Sequence, residues 1–463
     1  MERQNCYLNI VSHLLAILQL LIISRAHINN HTTTLTRHPL DPVTVHEINR
    51  VRTILSSYAA NKSFTVYSLT LEEPPKSQVL NWRKGDLLSF RKISVIANFE
   101  GGPILVLSVD LKLGDVSQVK TIPSSRYPVP TSEEIMASLS ATFSSAEFNQ
   151  SILDRGVNLA DVNCASLSPG WFGKHEGNRR IIKIQCFSMK DTVSLYMRPI
   201  EGLTIVVDLD TNQVVEISDH GRHIPIPNAV DIGYPNSGPN NTHKKTKPIN
   251  PISMEQPKGP SFIVENNHLI KWANWEFHLK HDPRAGVIVS RAMFEDPESG
   301  KLKSVMYKGM VSEMFVPYMD PTEAWYFKTY LDAGDYGLGL STRALDPLND
   351  CPKNAYYMDG LLVTSDGTPF IQSNVICVFE RYAGDIAWSH TNNYVAGEEI
   401  YEQRSKVTLV VRMVPSIGNY DYIMDWIFQI DGLIRIEVGF HSECINLKLF
   451  VIAIMDDFRM ATI

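Results

Sequence analysis

Two aromatic-rich runs hold the side chains best placed to do chemistry. Asp332 stands in Tyr326-Phe-Lys-Thr-Tyr-Leu-Asp-Ala-Gly-Asp-Tyr-Gly-Leu-Gly339. A carboxyl set among aromatics and glycines can lose its water, and desolvation raises its pKa toward the range of a general base. A plain turn aspartate reads the same way. Tyr420 lies in Val414-Pro-Ser-Ile-Gly-Asn-Tyr-Asp-Tyr-Ile-Met-Asp-Trp426, an apolar and strand-like run. There a half-buried sheet tyrosine is the ordinary expectation.

Histidine spacing bears on metal. The chain has 14 His and no His-x-His, the spacing that would put two imidazoles on one strand face. His220/His223 and His278/His281 are spaced i, i+3, which places neither pair on one strand face. No metal ligands are therefore expected. GxGxxG, P-loop, HExxH and G-x-S-x-G arrangements are also missing.

The elements around these runs fall into three blocks. Val43, Val45, Ile48, Val51 and Ile54 predict an amphipathic helix over 41–55. Strands are expected at 64–71, 92–98, 104–111 and 118–122, with Gly101-Gly102 as a turn. A second unit opens on Thr131-Ser-Glu-Glu134, a capping-box pattern. Its strands are expected near 160–167, 181–187, 203–208 and 213–217. Residues 233–259, rich in Pro, Asn, Ser and Lys, read as a linker. Beyond them, alternating runs at 270–278, 287–294, 302–316, 360–363, 370–381, 406–414 and 433–438 predict a large antiparallel sandwich.

The 463 residues, 44% hydrophobic and 9% aromatic, fit a multidomain globular protein. A net charge of −7 and the lack of a basic stripe exclude a nucleic-acid binder. Residues 1–26 read as a secretory signal, with an apolar run at 14–23 too short to span a bilayer and Ser24-Arg-Ala26 as its exit; an uncleaved anchor is the alternative. No later stretch is apolar enough to cross a membrane. Secretion predicts an oxidising surround. Cys164 and Cys186 make one local pair, Cys351 and Cys377 another, each closing a loop of twenty-odd residues for roughly 3 kcal/mol. Cys6 lies in the signal and Cys444 is left over. Sequons at Asn30, Asn61, Asn149 and Asn240 offer glycosylation.

A series of segments in order resembles the plant-type copper amine oxidases. They are His38-Pro-Leu-Asp-Pro42, Met310 through Pro321, Ala324-Trp-Tyr-Phe-Lys328, Asp332 with its glycine-rich sequel, Asp350-Cys-Pro352, Arg381 through Trp388, and Gly418-Asn-Tyr-Asp421. The likeness covers about 38–439. It implies two small α+β (cystatin-like) domains, 38–130 and 131–232, then the linker 233–259 and part of a catalytic β-sandwich, 260–439. It also implies oxidation of primary amines by O2 to aldehyde, ammonia and hydrogen peroxide, in a secreted homodimer carrying copper and topaquinone. Tyr420 matches the tyrosine converted to that quinone, on whose carbonyl the amine condenses. Asp332 matches the proton-abstracting base. Tyr318 matches the residue that bonds a quinone oxygen, and Asn419 one that helps hold the ring. Tyr330, Tyr336, Ile417 and Asp421 match positions lining the amine's path. The two cysteine pairs match the family's disulfides.

From Phe440 the text departs from the family pattern, as an alternative splice product or a mis-predicted gene would. The family's copper-binding His-x-His and third histidine have no counterpart in residues 1–463, and lone His441 does not replace them. The expectation for this polypeptide is therefore an unoxidised Tyr420 and no oxidase activity. The alternative is a non-catalytic secreted glycoprotein or interaction module. The tail 440–463 is also expected to leave the sandwich with open edges.

Overall fold

The computed structural model describes residues 37–60, 62–88, 90–123, 127–167, 179–229, 250, 252–318, 320–322, 325–395, 398–441 and 450–456. The signal segment with Cys6, the sequons at Asn30, Asn61 and Asn240, most of the linker, and Cys444 lie outside them. Two compact units form. One draws on Arg37–Thr131, Lys247–Pro321 and Lys328–Ile463, the other on Ser132–Thr246 and Thr322–Phe327. The first small domain and the sandwich thus share a unit.

Helix α1 (Val45–Tyr58) starts at Thr44, whose hydroxyl caps the Glu47 N–H while Glu47 caps the Thr44 N–H. The expected start near Pro42 therefore moves to Thr44. Ile48, Val51, Ile54 and Leu55 turn one buried face to the sheet β1 (Phe64–Glu72), β2 (Lys92–Phe99), β3 (Ile104–Asp110), β4 (Asp115–Thr121), paired in sequence order. A short helix, α2 (Lys76–Asn81), sits between β1 and β2.

The other unit repeats this layout. Helices α3 (Ser132–Ser144) and α4 (Ala146–Asp154) cover the sheet β5 (Val162–Leu167), β6 (Ile181–Ser188), β7 (Pro199–Asp208), β8 (Gln213–Asp219). Cys164 and Cys186 face each other across β5 and β6 and are joined, S–S 2.02 Å. Asn149 is half-buried on α4 and donates its side-chain amide to the Phe143 carbonyl, 3.1 Å. Of the four sequons, Asn149 is the one among the described residues.

The sandwich has two antiparallel sheets. The strands are β9 (Ile263–Glu265), β10 (Leu269–Trp272), β11 (Trp275–Asp282), β12 (Gly286–Glu295), β13 (Leu302–Pro317), β14 (Thr329–Leu331), β15 (Tyr356–Val363), β16 (Pro369–Val395), β17 (Glu398–Met413), β18 (Ser416–Ile417), β19 (Tyr420–Gln429), β20 (Ile434–His441) and β21 (Phe450–Asp456). One sheet runs β14-β13-β12-β11-β10-β9, with β21 also on β13; the other runs β15-β16-β17-β19-β18, with β20 on β19. The single strand expected over 270–278 is two, because Ala273 takes a left-handed φ of 46° and turns the chain. The strands expected at 370–381 and 406–414 are the base of a longer hairpin, β16–β17. Ile386, Trp388 and Tyr401 on that hairpin are exposed.

The core between the sheets holds Trp275, Phe277, Phe428, Trp426 and Tyr422, with Phe277 and Phe428 stacked at 4.1 Å. Cys351 and Cys377 are joined in a neighbouring cluster, S–S 2.11 Å. The tail does not leave every edge open: β21 pairs with β13 from Lys308 to Phe315. That corrects the sequence expectation, because a tail unlike the family can still supply a backbone ladder, which needs no particular side chains.

Candidate active site

Tyr420 is positioned by a two-residue hairpin. Ile417 and Tyr420 are cross-strand partners, so Gly418 and Asn419 make the loop between β18 and β19. Gly418 has φ 62°, the positive value that the first loop position of a type II′ turn requires and that glycine takes without strain. The turn starts β19 with Tyr420 facing the core, 7% exposed. The Tyr420 hydroxyl lies 2.8 Å from that of Tyr318, which directly follows β13.

Side chains alternate along β19, so Tyr422 shares a face with Tyr420, their rings 6.2 Å apart and 17° from parallel. Tyr422 is fully buried and donates its hydroxyl to Asp332 Oδ2 at 2.7 Å. Asp332 begins a single π-turn, Asp332–Tyr336, closed by the Gly337 N–H on the Asp332 carbonyl, 3.1 Å. Glu313 on β13 holds this turn by accepting the Ala333 N–H at 2.7 Å and the Gly334 N–H at 3.1 Å. Arg284 bonds the same carboxylate, 3.2 Å.

Burial pushes the Asp332 carboxyl up to about 7, and the nearby Asp335 and Glu313 carboxylates push the same way against the Tyr422 hydrogen bond. Asp335 is raised to about 6, again chiefly by burial and then by Glu313, against the Leu331 N–H it accepts. An acid with a pKa near neutrality can take a proton and hold it, as a general base must. Burial of the Tyr422 phenol, together with the negative carboxyl it donates to, raises its own pKa.

The remaining expected residues divide. Tyr330 and Tyr336 extend the aromatic wall, with Tyr330 6.0 Å from Tyr318 and 6.1 Å from Tyr336. Ile417 is buried against Tyr420's strand. Asn419 has a buried amide nitrogen with no hydrogen-bond partner among the described residues. Asp421 alternates to the other face of β19 and accepts from the Ser416 hydroxyl on β18, so the structure does not join it to this cluster. Sequence reasoning passed over Tyr422 and Glu313. The one available signal was that Tyr422 stands two residues from Tyr420, the strand period.

Cofactor fit splits the same way. Tyr420, with a hydroxyl partner on one side and an unsatisfied Asn419 donor next in sequence, suits a ring carrying additional acceptor oxygens. Copper is different. Among the described residues one trio of ligand-type side chains gathers, His38, Asp41 and His278, with ligand atoms within 4.8 Å. His278 Nε2 is 2.9 Å from Asp41 Oδ1, and the Arg291 guanidinium lies 3.0 Å from His38 Nε2. That fixed positive charge opposes a cation, and the trio's ring neighbours are Trp82 and His268, not Tyr420. The described residues thus offer no fitted copper site at the phenol.

Comparison with known proteins gives a consistent result. The sequence model "Copper amine oxidase, enzyme domain" matches residues 263–444, the N3 domain 133–235 and the N2 domain 38–122. "Amine oxidase [copper-containing] gamma 1" of Arabidopsis thaliana is 51% identical over 413 residues, covering 89% of this chain and 58% of the relative. "Primary amine oxidase" of Pisum sativum is 38% identical over 408 residues, 86% of this chain and 59% of the relative. The chain therefore spans under two thirds of the length of these relatives. A copper-containing benzylamine oxidase from Hansenula polymorpha shares the fold, with TM-score 0.75 over 88% of this chain and 64% of that one at 22% identity. Two small α+β domains, an antiparallel sandwich and this run of matches establish that the chain belongs to the copper amine oxidase family.

Proposed function

We propose that this chain carries the amine-binding and proton-abstracting part of a primary amine oxidase. Tyr420 is the quinone precursor, Asp332 the base, Tyr318 the residue that fixes the ring through its oxygen, and Asn419 a second donor to it. Tyr330, Tyr336 and Ile417 shape the amine's path. The observation that carries this reading is a line of contacts from half-buried Tyr318 to buried Tyr420, Tyr422 and Asp332, in which the one carboxyl is held near neutral pKa. When formed, the quinone supplies an electrophilic carbonyl for the amine and an electron sink. The chain's own residues bind the amine against aromatic walls, exclude water, and receive the substrate's carbon-bound proton on Asp332.

Residues 1–463 alone are expected to keep Tyr420 as a phenol, since no His-x-His accompanies it. This favours the second reading, a non-catalytic secreted glycoprotein or interaction module, for that polypeptide alone. Secretion is consistent with two formed disulfides and the apolar N-terminal run. Domain bounds of 38–130, 131–232 and 260–439, and a homodimer, complete the proposal.

The test uses two proteins. The 463-residue polypeptide, given copper and O2, should give no colour with phenylhydrazine. A fusion continuing residues 1–439 with the C-terminal segment of the 51%-identical relative should colour and release peroxide from a benzylic or aliphatic amine. Tyr420→Phe should abolish both signals; Asp332→Asn should abolish peroxide release. A soluble fusion that binds copper without colour would sink the assignment of Tyr420.

A further inference from the structure

Tyr422 has no role in the reading above beyond linking two named residues, yet its placement is specific. It is buried between the sheets, two residues from Tyr420 on one strand face. Its hydroxyl reaches across to a turn ninety residues away and bonds Asp332 Oδ2. Asp332 Oδ1 has no hydrogen-bond partner among the described residues, so the two carboxylate oxygens are distinct. A buried phenol that donates to a carboxylate stabilises the ionised form and removes rotational freedom from the carboxyl group.

We propose that Tyr422 is a positioning residue for Asp332. Through Oδ2 it fixes the carboxylate plane, presents Oδ1 to the migrating proton, and opposes the burial that would otherwise keep Asp332 protonated. Because Tyr420 and Tyr422 are on one face of one strand, β19 also sets the spacing between the base and the ring it serves. This rests on Asp332 being the base. The charged and titratable groups facing Asp332 are Asp335 from its own turn, Glu313 from β13 with Arg284 beyond it, and Tyr420 and Tyr422 from β19. Of these, Tyr422 is the one that donates to the carboxylate, so its removal has a sign of its own.

The experiment follows the infrared band of the protonated Asp332 carboxyl against pH in the full chain, the band being assigned by its loss in Asp332→Asn. Tyr422→Phe keeps the ring and removes the donor, and should move the midpoint up by about one unit. Replacing Tyr422 with 3-fluorotyrosine, a more acidic phenol of nearly the same size, should move it down. Opposite shifts support the proposal; an unmoved midpoint with 3-fluorotyrosine overturns it even if the Phe variant fails to fold. The readout needs no turnover. A fusion whose activity ignores Asp332 would therefore sink the oxidase reading, while an unmoved midpoint sinks only the role of Tyr422.

Discussion

Glu313 accepts the Ala333 backbone N–H at 2.7 Å, so a single side chain of β13 anchors the turn that starts with Asp332. The same carboxylate takes the Gly334 N–H and pairs with Arg284. Its charge is one of the influences that raise Asp332 and Asp335. Glu313→Gln keeps an acceptor and removes the charge; it should lower the Asp332 midpoint with a small loss of stability. Glu313→Ala strands two backbone donors and should cost about 1–3 kcal/mol. Infrared titration and thermal melts of the two variants separate charge from clamp; equal midpoints in Gln and wild type would refute the electrostatic part.

Asp332 should make stability depend on pH in a definite direction. The unfolded chain ionises near 3.8 and the native carboxyl near 7. Between those values the native state keeps a proton that the unfolded chain has released. Stability therefore falls as pH rises from about 4 to about 7 and stays reduced above. Asp332→Asn removes this effect, so its advantage over wild type should be small at pH 4 and reach at most about 4 kcal/mol at pH 8. Denaturant melts at the two pH values measure it, and a variant with no gain at pH 8 contradicts the raised pKa. With Asp332 in its proposed role as base, proton abstraction in the copper-competent fusion should rise with pH through about 7.

Gly418 is the residue on which Tyr420's placement depends most locally. Its φ of 62° would cost a side-chain-bearing residue about 1–2 kcal/mol. Gly418→Ala should destabilise by at least that amount, since the first position of a type II′ turn is a glycine position. In the fusion, Gly418→Ala should lower the yield of phenylhydrazine colour more than it lowers copper content. A proportional fall in both would mean general misfolding and not a displaced Tyr420.

Much of this arrangement was legible in the chain. Short runs of strand-forming residues between turn residues announced the small sheets; β2 alternates cleanly between a buried and a half-buried face, while β6 is buried on both. Tyr420 was singled out by the family resemblance, and the glycine hairpin that positions it, with Gly418 at φ 62°, was not read from the sequence. Three features were not legible for a physical reason. Tyr422 meets Asp332, and Glu313 meets Ala333, only after β13, β14 and β19 are brought together, and no local pattern encodes a contact across ninety or twenty residues. His38 and His278 meet across 240 residues; the i, i+3 spacing of His278 and His281 says nothing about it. Asp421 was named through the family resemblance; strand alternation puts it on the face of β19 opposite Tyr420, where it accepts from the Ser416 hydroxyl.

The cluster around Asp41 should govern the acid limb of stability. Asp41 accepts the His38 backbone N–H at 2.9 Å and bonds His278 Nε2, tying the segment before α1 to β11. Burial holds His38 down to about 3 and His268 to about 4, and lowers His278 despite its bond to Asp41. Burial alone would raise Asp41, but the His278 hydrogen bond and charge outweigh it and leave its carboxyl lowered. The unfolded histidines titrate near 6.5. As pH falls from about 6.5 to about 4, the unfolded chain takes up protons that the native state refuses, so stability declines. His268→Gln takes one such site away. Its unfolding midpoint should fall less steeply than wild type between pH 6.5 and 4, whatever the offset at neutral pH. Asp41→Ala leaves His278 without its partner and should cost about 1–3 kcal/mol at neutral pH, where the carboxylate is ionised in both states. Parallel pH slopes in His268→Gln and wild type would show that this cluster is not the source of the acid sensitivity.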